Sequence, residues 1–122
     1  MDNIEELNLI NTKRELVPYY FNAASLHLLS SDFEGSPNSV KEAMACNIPV
    51  VSTSVGNVSE LLESVNGSYV SDSFSSEVLA KLAYKVILNN DISNSRKQLI
   101  KMELDMNSVA EKIHTIYKSF NT

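Results

Sequence analysis

The chain has 122 residues, 43% of them hydrophobic and 20% charged, with a net charge of −5. That composition supplies one modest core and is the wrong one for a disordered chain. The acidic balance argues against a nucleic-acid partner, because phosphate neutralisation needs clustered cations, and only Lys13-Arg14 and Arg96-Lys97 stand together.

Residues 1–6 are polar and are expected to form a frayed start. Leu7-Asn-Leu-Ile10 suits a short strand. Thr12-Lys-Arg-Glu15 has capping-box spacing, so a helical turn is expected to begin there. Pro18 suits the first turn of a helix over residues 19–24. Leu26-His-Leu-Leu-Ser30 is short and apolar and runs into Ser-Ser-Asp, the pattern of a buried strand followed by a functional turn. A helix is expected over residues 37–46, closed by Asn47 as a left-handed cap. Ile48-Pro-Val-Val-Ser-Thr53 is β-branched, as in a strand buried on both faces.

Asn57-Val-Ser-Glu60 again has capping-box spacing and opens a short helix reaching about Glu63. Asn66-Gly67 reads as a turn and Ser68-Tyr-Val-Ser71 as a third strand. From Ser76, Val78, Leu82 and Val86 recur at helical spacing until Asn89-Asn90. Residues 94–102 are a weaker amphipathic segment. Val109, Ile113, Ile116 and Phe120 form one stripe of a last helix, assigned to core or interdomain packing.

This alternation implies an α/β fold with a parallel sheet. Only three or four strands can be counted, whereas a doubly wound sheet has five or six in two halves. The expectation is a partial Rossmann-like three-layer domain with a short parallel sheet, one partial domain over residues 1–122. The acidic Met-Asp-Asn-Ile-Glu-Glu start does not resemble a signal peptide, and no apolar run has the length of a membrane span. A cytoplasmic location is expected. The single cysteine, Cys46, excludes an intrachain disulfide and reads as a buried, inert thiol.

The most informative stretch runs from Glu34 to Glu42. Gly35 lets backbone approach a ligand without a Cβ in the way. Ser36 suits an N-cap and Pro37 the first helical position. The amides of Asn38, Ser39 and Val40 then lack carbonyl partners inside the helix and, with the helix dipole, favour a phosphate. Glu34 precedes the cap, and Glu42 lies about one and a half turns in, where its carboxylate can line the rim. Alone, Glu42 is equally a capping-box partner of Ser39 or a solvated helix residue, and Glu34 an ordinary loop acid.

Together these residues carry a resemblance. Ser31-Asp-Phe-Glu-Gly-Ser-Pro-Asn-Ser-Val-Lys-Glu-Ala-Met-Ala-Cys-Asn-Ile-Pro-Val-Val-Ser-Thr53, then Val55-Gly56 and Glu60-Leu-Leu62, resembles the donor-binding signature of the group-1 retaining glycosyltransferases, with their two-domain GT-B fold and E-x7-E motif. Val17-Pro-Tyr-Tyr-Phe-Asn-Ala-Ala24 and Ala110-Glu-Lys-Ile-His-Thr-Ile-Tyr117 also resemble that family. The resemblance implies that Glu34 meets the donor sugar near the reacting centre and that Glu42 takes the ribose hydroxyls. It implies that the loop Gly35, Ser36, Pro37, Asn38, Ser39, Val40 holds sugar hydroxyls and the diphosphate. Transfer would keep the anomeric configuration, with a nucleoside-diphosphate sugar as substrate, no cofactor and no metal. Ser36, Lys41 and Asn47 depart from the commonest residues at their positions.

The resemblance further implies that the acceptor-binding N-terminal domain is absent, along with the Gly-rich first half of the donor domain. Lys13 and Arg14 lie in the wrong segment to replace its cations. The partners expected are a nucleotide sugar and the missing domain or a separate upstream chain, with self-association through an exposed sheet edge. The function expected is hexose transfer to an acceptor glycan or lipid in polysaccharide biosynthesis. The alternative is a remnant or binding module that holds nucleotide weakly without catalysis. His27 reads as a packed histidine and His114 as an exposed one. Ser30, Ser31 and Ser39 have no partner for a nucleophilic triad. Glu60 reads as a helix-cap residue.

Overall fold

A computed structural model of the chain describes residues 4–120. The frayed start expected at residues 1–6 lies outside the described residues over 1–3, and residues 4–6 have no regular structure. Three strands, β1 (His27–Leu29), β2 (Val50–Thr53) and β3 (Tyr69–Ser71), form one parallel sheet in the order β1-β2-β3. The register pairs Leu28 with Val51 and Ser52 with Val70. Six α-helices lie among the described residues: α1 (Val17–Ala23), α2 (Asn38–Ala45), α3 (Val58–Leu62), α4 (Ser76–Asn89), α5 (Ser95–Lys101) and α6 (Met106–Ser119). The fold is α/β, a partial Rossmann-like arrangement.

β2 organises the core because all four of its residues are buried. Successive strand side chains point to opposite faces. Val50 accordingly packs with Val40, Ala43, Met44, Leu61 and Leu99 from α2, α3 and α5, while Val51 packs with Leu79 and Val86 of α4. That gives helix, sheet and helix layers. Each fully buried side chain of this size contributes about 1.5–3 kcal/mol.

α2 ends as its sequence requires. Asn47 takes φ 58°, its N–H donates to the Met44 carbonyl and the Ile48 N–H to the Ala43 carbonyl. This is a Schellman cap, with Ile48 and Ala43 both buried in the core. α5 adds donors at this end: Ser95 Oγ is a second donor to the Met44 carbonyl, and Arg96 Nε donates to the Ala45 carbonyl. Asn90 closes α4 in the same left-handed conformation, at φ 48°.

Several expectations are corrected. Leu7–Ile10 is not a strand: residues 4–10 have no regular structure, and Leu7 and Leu9 line a cleft against α1 and the start of β1 without pairing. β1 is not a buried strand: it lies at the edge of the sheet, with His27 and Leu29 half-buried and Leu28 49% exposed. Thr12–Glu15 forms no capping box; a 3-10 turn, Arg14–Leu16, starts after Lys13 without a side-chain cap. Asn57 also makes no side-chain cap to α3, because at φ −98°, ψ 20° it lacks the extended backbone of an N-cap. Cys46 is half-buried. The stripe on α6 is not core: Val109, Ile113, Ile116 and Phe120 are all exposed.

Candidate functional site

The loops following β1 and β2 meet at the carboxyl edge of the sheet, and a short set of contacts ties them together. Thr53, at the end of β2, is buried and its Oγ1 donates to the Ser31 carbonyl at 2.6 Å. Ser31 Oγ in turn donates to Glu34 Oε1 at 2.9 Å. One residue further, the Asn57 N–H donates to the Gly35 carbonyl at 3.0 Å. Gly56 lies at φ +51°, and a Cβ there would run into the carbonyls of Gly35 and Glu34. The glycine is what lets the two loops touch.

The helix begins one residue later than its sequence suggests. Pro37, buried at φ −66°, ψ 120°, is the N-cap of α2, so Ser36 is an exposed loop residue and Pro37 is not in the first helical position. Proline holds φ in range for either role; the extended ψ decides for the cap. The shift leaves the same three amides at the start of the helix. Lys41 makes the first intrahelical bond, to the Pro37 carbonyl, so Asn38, Ser39 and Val40 have N–H groups with no carbonyl four residues back inside the helix. Asn38 is exposed and Ser39 half-buried, whereas the Val40 side chain is fully buried and offers only its amide. Gly35 faces open space, with nothing within 4 Å of a Cβ position.

Glu34 to Val40 are contiguous in the chain: Glu34, Gly35, Ser36 and Asn38 are exposed, Ser39 is half-buried, and Pro37 and Val40 are buried. Glu42 follows within α2. It is exposed on the α1-facing side of α2 and lines a cleft of about 560 Å³ with Thr12, Arg14, Asn38 and Lys41. It also lines a narrower cleft of about 220 Å³ with Arg14, Pro18 and Phe21. Glu34 lines neither. Asn38 also lines the larger cleft. The fold brings Arg14 to the same cleft as Glu42.

The model for the family described as "Glycosyl transferases group 1" matches residues 3–104. The chain belongs to the group 1 glycosyltransferases. It is 26% identical over 103 residues to a protein of Bacillus subtilis (strain 168) that is named for a glycosyltransferase role in teichuronic acid biosynthesis, TuaC. That match covers 82% of this chain and 26% of the relative, so the chain spans about a quarter of the relative's length. No solved structure matches the chain.

Four residues of this group 1 glycosyltransferase chain were missed by sequence reasoning as parts of the site: Ser31, Thr53, Gly56 and Asn57. The Ser31–Glu34 spacing is a local signal that could have been used. The others act across strands, which spacing does not record. The Asn57 side chain also keeps its buried Oδ1 without a partner among the described residues. His27 is packed as expected, edge-on to Phe21 with ring centroids 5.5 Å apart. Burial holds its imidazole below the ordinary value of 6.5. His114 is exposed. Among the described residues there is no cluster of three metal-binding side chains, and no helix is long and apolar enough to cross a membrane.

Proposed function

We propose that this chain is the donor-binding part of a retaining, GT-B-type glycosyltransferase. It would take a hexose from a nucleoside-diphosphate sugar and pass it to a glycan or lipid acceptor in polysaccharide assembly. What supports this reading is an exposed glycine loop that carries a carboxylate and runs straight into the first amides of α2, which have no carbonyl four residues back inside the helix. The amides of Asn38, Ser39 and Val40 suit a phosphate, and the build-up of negative charge on a leaving diphosphate is stabilised by donors already aimed at it. Glu34 accepts from a sugar hydroxyl beside the reacting carbon. Glu42 accepts from the ribose hydroxyls in its own cleft, where Arg14 and Lys41 add positive charge. Gly35 gives the sugar room to lie against backbone.

The reading assigns no metal to the site. Acceptor binding and the rest of the donor domain are assigned to polypeptide outside this segment, and the share of the relative's length that the chain spans supports that division. A cytoplasmic site of action is part of this proposal.

The test is an amide NMR titration of the chain with UDP, UDP-glucose and GDP-mannose. Shifts centred on Gly35 to Val40 are expected. No response at millimolar ligand would overturn the donor-site reading. Glu42→Ala should weaken nucleotide binding; an unchanged affinity would remove the ribose role. Binding without turnover, even with the complementary parts supplied, would select a non-catalytic nucleotide-holding module.

A further inference from the structure

We infer that Ser31 is a positioning residue that fixes the orientation of the Glu34 carboxylate, and that Thr53 holds Ser31 for that task. The inference rests on the donor-site reading and names how its carboxylate is aimed. Glu34 is exposed and lies in a loop. An exposed glutamate is ordinarily spread over several rotamers. Here Ser31 Oγ donates to Oε1 at 2.9 Å. One carboxylate oxygen is engaged, so Oε2 is the oxygen offered to a sugar hydroxyl.

Ser31 would be a poor anchor if it moved freely itself. Its carbonyl is held at 2.6 Å by Oγ1 of Thr53, which is 1% exposed at the end of the fully buried strand β2. The chain of bonds therefore runs from the sheet interior to the loop acid. On the far side of Glu34, the bond from Asn57 N–H to the Gly35 carbonyl closes the loop. The two flanks of the acid are tied to the end of β2 and to the residue that precedes α3. Pre-ordering of this kind spares a ligand the cost of fixing one long side chain, worth roughly three- to tenfold in affinity.

The experiment compares the wild-type chain with Ser31→Ala, Ser31→Thr and Thr53→Val. The first readout needs no ligand: Hα–Hβ scalar couplings of Glu34. Wild type should show values of a single rotamer, Ser31→Ala and Thr53→Val averaged values, and Ser31→Thr, which keeps the hydroxyl, wild-type values. Amide spectra show that each variant is folded, and Ser31→Ala carries the test if Thr53→Val is not. The second readout is affinity for UDP-glucose and for UDP. Ser31→Ala should lose roughly three- to tenfold for UDP-glucose and nothing for UDP, because only the sugar meets Glu34. Averaged couplings in the wild type, or couplings unmoved in Ser31→Ala, overturn the inference. If the couplings respond but wild type binds neither ligand, the Ser31–Glu34 pairing stands and the donor-site reading falls.

Discussion

The carbonyl of Gly35 occupies the space that a Cβ on Gly56 would need. Gly56 also sits at φ +51°, where a side chain is strained whatever the space. Gly56→Ala should therefore destabilise the chain by about 2 kcal/mol or more, read by urea denaturation. Gly35→Ala is the contrast. With open space around its Cβ position, it should change stability by about 0.5 kcal/mol at most. Its effect should appear instead as weakened UDP-glucose binding. Equal stability losses at the two glycines would remove the loop contact from the account of the site.

Asn47 combines two roles, the left-handed cap of α2 and an acceptor, through Oδ1, for the Arg96 N–H at 2.9 Å. Asn47→Ala loses both and should cost about 2 kcal/mol. Asn47→Gly relieves the backbone but loses the acceptor, so it should cost about 1 kcal/mol. Thermal unfolding of the two variants gives the order; a glycine variant less stable than the alanine one would contradict it.

Burial lowers the His27 pKa, which fixes the sign of a pH effect. Below about 6.5 the unfolded chain binds a proton that the folded chain resists. Stability should therefore fall as pH drops from that value toward the folded pKa. Urea midpoints of wild type and His27→Phe at pH 8 and pH 5 isolate this contribution. The variant should lose less stability on acidification; parallel losses would contradict it.

Asp105 caps α6, accepting from Ser108 N–H and Oγ, and these bonds hold its carboxyl below the ordinary range. For a depressed carboxylate the stabilisation is present above the ordinary value and is lost as pH falls through the folded one. Amide exchange in the first turn of α6 should quicken in Asp105→Ala and in acid. Exchange indifferent to both would show that the cap does not hold the helix end.

The exposed edge at Leu28 and the open stripe on α6 lead to an expectation of self-association. Sedimentation should show concentration-dependent species, reduced in Ile113→Glu together with Ile116→Glu. A monomer at all concentrations would contradict it.

The parts that could be read from the sequence are those where local and tertiary demands agree. The β-branched run at Val50–Thr53 is a fully buried strand, and Asn47 and Asn90 take the left-handed caps that asparagine tolerates. The failures share a different cause. Capping-box spacing at residues 12–15 and 57–60 says nothing of the φ and ψ that the cap requires. The apolar residues of Leu7–Ile10 read as a strand because sequence shows periodicity and not whether a partner strand is available. Likewise Glu34 to Val40 are contiguous in the chain, whereas Glu42 lines a cleft with Arg14 because α2 turns it toward α1. Thr53 and Gly56 join the site from another strand connection, which one-dimensional spacing cannot express.

The strand order β1-β2-β3 follows chain order. During synthesis each strand therefore emerges next to the edge most recently formed, and no strand must be inserted between two others already paired. Both pairings still join segments distant in sequence, so each waits for its crossover helix before it can close. The loop holding Glu34 is secured from Thr53 and Asn57, both made after it. On the ribosome that loop acquires its final shape only once β2 and the start of α3 have cleared the exit tunnel, later than its own place in the chain but before β3 joins the sheet.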